Sequence, residues 1–460
     1  MLRSLIYDNL PGTWIGEPVD CDSISTDTRT MQPGALYVAV AGKQADGHQY
    51  IPEAIRRGAR AVMVTRVQAE CPVPQWVVAD AYEAICFIVR HLRDAFQGDV
   101  VAVTGSVGKT STKQFIAQIL ARRFSVLSTT RNWNTEYGLA QLFWGLAQHH
   151  QCIVLEMGAK HPGDIATLCR LVRPTVGVVT NVQHVHSGLY PSFESLIETK
   201  MALLDYLSTS GKAAISVDDP LFSSWIQRFP AHRCAAYGQL LSHSPQSAVP
   251  SVTLADLHLE AGEACFRLIH GAEEAPVHLH VLGKHQVGNA LAAAAVTSLL
   301  GVSVADVAAG LSTTIGTSQR LMRYTTPTGG IVYDDTYNGN GALVAIAHLA
   351  LDVPYRTTIF VMTDMADLQP DSVVARHEEL CRVARDLGVH HLWCLGPAMK
   401  AAMPVFGPNA RHFEQQSDLI EALIPFIGPQ VSCLIKGSRG RVMERVVQAV
   451  CPNILEKTPC

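Results

Sequence analysis

Residues 100–116 read VVAVTGSVGKTSTKQFI, a continuous apolar run that ends in a glycine-bracketed turn and opens into a helix-compatible stretch. A strand that hands a Gly-rich loop to a helix N-terminus belongs in a parallel α/β sheet. There the N–H groups of the loop and of the first helical turn converge on a polyphosphate. Lys109 reaches the outer phosphate oxygens in such a loop and Thr110 holds Mg²⁺, so Thr104, Gly105, Ser106, Val107, Gly108, Lys109, Thr110 and Ser111 form the expected nucleotide-binding run. The general pattern carries a further glycine where this chain has Val103, and the loop is the variant T-G-S-x-G-K-T. A nucleoside triphosphate is the implied ligand.

At 460 residues the chain is too long for one hydrophobic core, and two or three domains are expected. Residues 1–97 alternate short apolar runs, such as ALYVAV (35–40) and AVMV (61–64), with a helix-like segment at 50–58, which reads as a small α/β domain. Residues 98–323 repeat strand then helix through DVVAVTG, CIVLEMG (152–158) and TVGVVTN (175–181). Each run is β-branched and unbroken, as strands covered on both faces are. A hairpin region (253–282) then precedes an Ala-rich helix. Residues 324–460 carry GGIVYDD (329–335), TTIFVMTD (357–364), HLWCLG (391–396) and VSCLIKGS (431–438) between helical spacers, the pattern of a doubly wound domain. The predicted fold class is therefore α/β in three domains: a small N-terminal one, a central parallel-sheet P-loop domain and a C-terminal Rossmann-like one.

Bulk chemistry narrows the function. The formal net charge is −4 and 17% of residues are charged, which gives no basic stripe for nucleic acid and no attraction to an anionic membrane. The N-terminal stretch lacks the apolar core of a signal peptide, and the Ala-rich stretch 290–301 is too short to span a bilayer, so the chain reads as cytoplasmic. Its twelve cysteines show no C-x-x-C pair and read as small buried hydrophobes.

Ligands of open α/β sheets lie beyond the carboxyl ends of the strands, which directs attention to Glu156 after CIVLE and to Asn181 and His186 after TVGVVTN. Glu156 is either a capping residue or a carboxylate for a metal on the phosphates. His184 and His186 alternate along an extended segment and cannot both be ligands. Lys200 on its own reads as a solvated charge, and Tyr337 as either a packed aromatic or a lid on a ligand.

Taken in order, TGSVGKTSTK (104–113), NWNTEYG (132–138), LEMGAKHPGDI (155–165), the TN…H…K series (180–200), GKHQVGNALAAAA (283–295), Arg320, DDTYNGN (334–340) and KGSR (436–439) resemble the ATP-dependent Mur ligases of peptidoglycan synthesis. The segment 24–51 is similar to the family's uridine-nucleotide domain. This resemblance implies that ATP phosphorylates a carboxylate and an amine then attacks the acyl phosphate, with two Mg²⁺ ions neutralising the charge. It makes Lys109, Glu156, His186 and Lys200 catalytic, with Thr110, Glu156, His186 and Lys200 as metal ligands, Lys200 after carbamylation by CO₂. Asn289, Arg320, Asp335, Tyr337 and Asn338 would complete the nucleotide site. Thr28, Arg29, Asp46, Gly47, His48, Asn134, Thr135, Asp364, Lys436 and Ser438 would bind the other substrates. The closest branch implies a UDP-muramoyl-tripeptide and D-alanyl-D-alanine as small-molecule substrates of a monomer. Alternatives are the branch that adds a single diamino acid, a specialised-metabolism relative, or a non-catalytic nucleotide switch. The chain departs from the family at TDMADLQ (363–369), at Met201 and at the Ser-Gly pair after His186.

Overall fold

The β-branched runs become strands where their composition predicts them. A computed structural model describes residues 11–42, 45–130, 133–183, 189–219, 221, 225, 229–239, 249, 251–260, 263–339, 341–366, 368 and 370–452. The chain packs as two units. One comprises Met1–Thr104, Leu120–Val179 and Glu198–Ala214, and the other Gly105–Ile119, Thr180–Ile197 and Ile215–Cys460.

The first unit opens with β1 (Thr13–Ile15), β2 (Ser23–Ser25), β3 (Ala35–Val38), β4 (Ala61–Val64) and β5 (Gln75–Val77), in the order β1-β5-β4-β3-β2. All these pairings are parallel except β1 with β5. The helix Ala81–Ala95 follows, started by Asp80, whose carboxylate accepts from the N–H groups of Tyr82 and Glu83. Its buried residues Ala81, Ile85, Ile88 and Leu92 recur at helical spacing and form one apolar stripe. Then come β6 (Asp99–Thr104), β7 (Val126–Ser128), β8 (Cys152–Glu156), β9 (Val176–Val179) and β10 (Lys212–Ser216), all parallel. Strands β6, β8 and β9 are buried almost throughout, which accounts for their unbroken apolar sequences.

In the second unit, β11 (Cys234–Tyr237), β12 (Ser251–Glu260), β13 (Glu263–His270) and β14 (Glu273–Leu282) extend a nine-stranded sheet of order β14-β13-β12-β11-β10-β9-β6-β8-β7. The region expected as a hairpin is an antiparallel three-strand meander, β12 to β14. The Ala-rich helix that follows, His285–Leu299, is buried on nearly every side, as its small side chains allow. A third sheet holds β15 (Met322–Thr325), β16 (Ile331–Asp335), β17 (Thr357–Thr363), β18 (His391–Leu395), β19 (Ala410–Phe413) and β20 (Val431–Lys436), in the order β15-β16-β20-β17-β18-β19. All are parallel except β15.

Alternation along the strands of the third sheet builds two cores. Phe360, Met362 and Leu434 face one way, against Ile346 and Leu349 of the helix Ala342–Leu349 and Leu380 of Val373–Asp386. Ile359, Val361 and Ile435 face the other, against Leu423 of Gln416–Phe426 and Val447 of Glu444–Val450. Each of these fully buried side chains contributes about 1.5–3 kcal/mol relative to exposure. The doubly wound pattern expected from the sequence is therefore present. The described cysteines are free thiols and most are buried. Burial pushes the thiols of Cys169, Cys381 and Cys394 up to about 12, so they act as packing and not as nucleophiles. Among the described residues, no helix is long and apolar enough to cross a membrane.

Candidate active site

In the second unit, the 105–108 turn is held by residues distant in sequence. Ser106 N donates to the carbonyl of Asn181 at 2.9 Å, and its hydroxyl bridges to the backbone of Gln183. Val107 N donates to Asn181 Oδ1 at 3.1 Å, while the Val107 carbonyl accepts from Thr180 Oγ1 and Asn181 Nδ2. The turn is thus braced from outside, and its shape does not depend on its own short sequence. Gly105 (φ 143°) and Gly108 (φ 84°) adopt backbone conformations that side chains rarely take. A Cβ at Gly108 would lie 2.2 Å from Asn289 Oδ1, so the two motifs, far apart in sequence, close on one another.

Lys109 Nζ donates to the carbonyls of Gly105 and Ser106 at 2.7 and 2.9 Å, which places its charge over the loop. The helix Lys109–Leu120 begins there, and the positive end of its dipole faces the same space. Asn289 is buried, accepts from Thr112 Oγ1 and donates to Gln286 Oε1 at 2.9 Å. Arg320 Nη2 donates to Thr110 Oγ1 at 2.9 Å, and its guanidinium lies 4.2 Å from the Tyr337 ring centre, a cation–π contact. Tyr337 is thereby tied to the loop helix through one arginine. Gln319 (φ 63°) and Leu321 (φ 53°) flank Arg320 in the left-handed region, so the arginine sits on a strained stretch of backbone. Beside Ser111 a cavity of about 320 Å³ is lined by Gln114, Gln286, Thr317 and Arg320 among others.

The carboxyl edge of the third sheet gathers a second polar group. Asp335 ends β16 opposite Lys436 at the end of β20, and Lys436 Nζ donates to Asp335 Oδ2 at 2.6 Å with the ammonium almost fully buried. Burial pushes His285 down to about 4 against the opposing pull of the Asp335 carboxylate. Burial also raises Asp334 to about 6, although the Thr336 hydroxyl and N–H hydrogen-bond to its carboxylate. Asp364, just past β17, accepts from Met399 N at 2.9 Å and so starts the helix Pro397–Ala402. Ser438 is buried and directly precedes the short turn Arg439–Arg441, and Asn338 is half-buried in the loop after Tyr337.

In the first unit, Glu156 ends β8 with its side chain buried, paired in register with Val103 of β6. Its Oε1 accepts from Asn134 Nδ2 at 3.2 Å and its N–H donates to Thr129 Oγ1. Asn134, expected to meet substrate, thus also orients this carboxylate, and Thr135 directly precedes the helix Glu136–Trp144. Thr104 donates to the carbonyl of Met157 at 3.0 Å. Lys200 is buried on the helix Phe193–Asp205, contrary to the reading of a solvated charge.

Asp46 and His48 lie at the start of the short turn Gly47–Tyr50, between β3 and β4 of the small N-terminal sheet. Asp46 Oδ1 accepts from His48 N and from His48 Nδ1, at 3.0 and 2.7 Å, and Oδ2 pairs with Arg66 at 2.6 Å. Arg66 and then His48 hold this carboxyl well below the usual range. His48 Nε2 accepts from Thr65 N, which assigns the proton to Nδ1. Gly47 packs so closely that a Cβ would meet Val40 N at 2.6 Å. Thr28 is buried, while Arg29 is exposed and forks onto Asp27. His186 and His184 lie outside the described residues.

The structure brings together the loop residues Gly105–Thr110 with Asn289, Arg320 and Tyr337, and separately Asp335 with Lys436. Sequence reasoning singled out Asn181 without giving it a role, and left out Thr180, Gln286 and His285, although Thr180 closes an apolar run and the other two sit in GKHQVGN.

A braced phosphate loop at the end of a parallel strand, joined to a doubly wound sheet, defines a P-loop α/β nucleotide-binding protein. Residues 103–297 match the Mur ligase middle domain, and residues 21–85 match the Mur ligase family catalytic domain. The chain is 30% identical over 454 residues, 98% of each chain, to the UDP-N-acetylmuramoyl-tripeptide--D-alanyl-D-alanine ligase of Escherichia coli (strain K12). It is 29% identical over 448 residues, 95% of each, to the ligase of the same name from Haemophilus influenzae. Among solved structures, MurF from Acinetobacter baumannii is similar with a TM-score of 0.82 and 27% identity, covering 99% of this chain and 98% of that one. This chain belongs to the Mur ligase family. Its three-sheet α/β architecture has the three-domain layout of those structures.

Proposed function

We propose that this chain is an ATP-dependent ligase that joins D-alanyl-D-alanine to UDP-N-acetylmuramoyl-tripeptide through an acyl phosphate, in peptidoglycan precursor synthesis. The observation that carries the reading is similarity to ligases of that name over nearly the whole of both chains. The domains would divide as 1–97 for the uridine nucleotide, 98–323 for ATP and 324–460 for the dipeptide.

The tripeptide carboxylate attacks the γ-phosphorus and ADP leaves. The dipeptide amine then attacks the acyl carbon, loses a proton, and inorganic phosphate leaves. The barrier in the first step is the approach of one anion to another. Lys109 and the N–H groups of the 105–110 run answer it with fixed positive charge aimed at the phosphates, the kind of preorganised donor whose loss costs about 10²–10³ in rate. The glycine cradle fits a polyphosphate because a Cβ at either Gly105 or Gly108 would intrude on its braces. The cavity beside Ser111 and Arg320 is the proposed seat of the base, with Tyr337 and Asn338 near the sugar.

The oxygen donors of Thr110 and Glu156 suit Mg²⁺, a hard ion whose coordination is completed by water, while His186, a nitrogen donor, is assigned to the second ion by the family resemblance alone. Lys200 suits it only as a carbamate, which turns a buried cation into an anion. When bound, Mg²⁺ would neutralise phosphate charge. Activity that does not fall on removal of CO₂ and recover with bicarbonate would sink the carbamate. Thr28, Arg29, Asp46, Gly47, His48 and Asn134 are assigned to the uridine nucleotide and muramoyl group, and Asp364, Lys436 and Ser438 to the dipeptide. The enzyme is read as a cytoplasmic monomer.

The test is the fate of oxygen. A tripeptide with heavy oxygen in its terminal carboxylate should pass one heavy atom to each phosphate released. Phosphate without label would contradict the acyl phosphate.

A further inference from the structure

Glu263 on β13 and the pair His278 and His280 on β14 meet on one face of the β12–β14 meander. His278 and His280 are two apart on β14, so their rings leave the same face and lie 4.2 Å apart. Cys265 pairs with His278 across the strands, and continued regular pairing would set Glu263 opposite His280. A register shift between Glu263 and Ala264 instead pairs Glu263 with Leu282. Such bulges re-aim a side chain. Here the carboxylate is carried to the two imidazoles: Glu263 Oε2 lies 2.9 Å from His278 Nε2 and 3.1 Å from His280 Nδ1. His278 Nε2 is shielded from solvent yet makes no hydrogen bond, because the carboxylate lies off the line a hydrogen bond needs. A shielded ring nitrogen left without a hydrogen bond is costly unless something else takes its lone pair.

We propose that Glu263, His278 and His280 form a binding site for a divalent transition-metal ion, with Zn²⁺ as its representative. The three ligand atoms lie within 4.8 Å of one another. A tetrahedral Zn²⁺ at about 2.1 Å holds its ligands roughly 3.4 Å apart, so only small side-chain shifts are needed. Two imidazoles and one carboxylate favour a borderline ion of this kind over Mg²⁺. Glu263 and His280 also line the 320 Å³ cavity, so a fourth coordination position would face the same space as Arg320 and Gln114. The test of the site needs neither nucleotide nor any other substrate.

A competing trio, His258, Glu260 and Cys265, occupies the same meander. The experiment is a calorimetric titration of the metal-free full chain with Zn²⁺, without nucleotide, beside the visible spectrum of the Co²⁺-loaded form. The expected result is one ion per chain. Glu263→Gln and His278→Ala should each weaken binding at least about tenfold, while Cys265→Ser leaves it unchanged and no thiolate-to-cobalt band appears. Metal-free thermal unfolding of Glu263→Gln, a nearly isosteric change, serves as the check on folding. The proposal is overturned by absence of stoichiometric Zn²⁺ binding, by wild-type affinity in either variant, or by a thiolate band that Cys265→Ser removes.

Discussion

At Gly108 one missing methyl group decides whether the loop and the Ala-rich helix can close together. Its φ of 84° is strained for any L side chain, and a Cβ would sit 2.2 Å from Asn289 Oδ1. Strain of this kind costs on the order of 1–3 kcal/mol, so Gly108→Ala should weaken ATP binding by about ten- to a hundredfold. Nucleotide titration of the purified variant checks this, and wild-type affinity would show that the brace is dispensable. Arg320 presents the converse case. Gln319 beside it pays for a left-handed backbone that holds the guanidinium over Tyr337 and against Thr110. Gln319→Gly should raise stability by about 1 kcal/mol in denaturant unfolding while raising the KM for ATP. A gain in stability with KM unchanged would mean that the strain has no part in positioning Arg320.

At the scale of elements, the end of β16 and the start of the helix His285–Leu299 carry two titrations of opposite sign. Asp334 is raised by burial to about 6 from a model-peptide 3.8, so its contribution to stability is complete below about 4 and is lost as pH rises through 6. His285 is lowered by burial to about 4 from 6.5, so its contribution is complete above about 6.5 and is lost as pH falls through 4. The slopes oppose each other between pH 4 and 6. Asp334→Asn keeps an acceptor for the Thr336 N–H and hydroxyl but removes one slope. Its melting temperature should therefore exceed that of the wild type at pH 7, by up to about 3 kcal/mol of stability, match it near pH 4, and climb between the two. Melting curves across that range are the check; a falling curve for the variant would refute the assignment.

The same elements show what a sequence makes legible. Strands β6, β8, β9, β16, β17, β18 and β20 were plain because a strand buried on both faces must be apolar throughout. The phosphate loop was plain because its chemistry is local. The bracing by Thr180 and Asn181 was not, since those bonds span more than 70 residues. The bulge that gathers Glu263, His278 and His280 was hidden as well, because register is set by pairing across strands and not by spacing along one.

At the scale of the whole molecule, the chain belongs to the Mur ligase family, and within its second unit Arg320 joins Tyr337 to the helix that follows the phosphate loop. A nucleotide switch needs only to bind and release the nucleotide, whereas a ligase must also turn over its other substrates. The distinction is chemical and can be read directly. Purified protein would be given ATP, Mg²⁺ and UDP-N-acetylmuramoyl-tripeptide, with and without D-alanyl-D-alanine, and phosphate release followed while products are resolved by mass. Steady release that requires both substrates and yields the pentapeptide is the predicted result. Bound ATP with no phosphate, or turnover that instead consumes a single diamino acid, would contradict it.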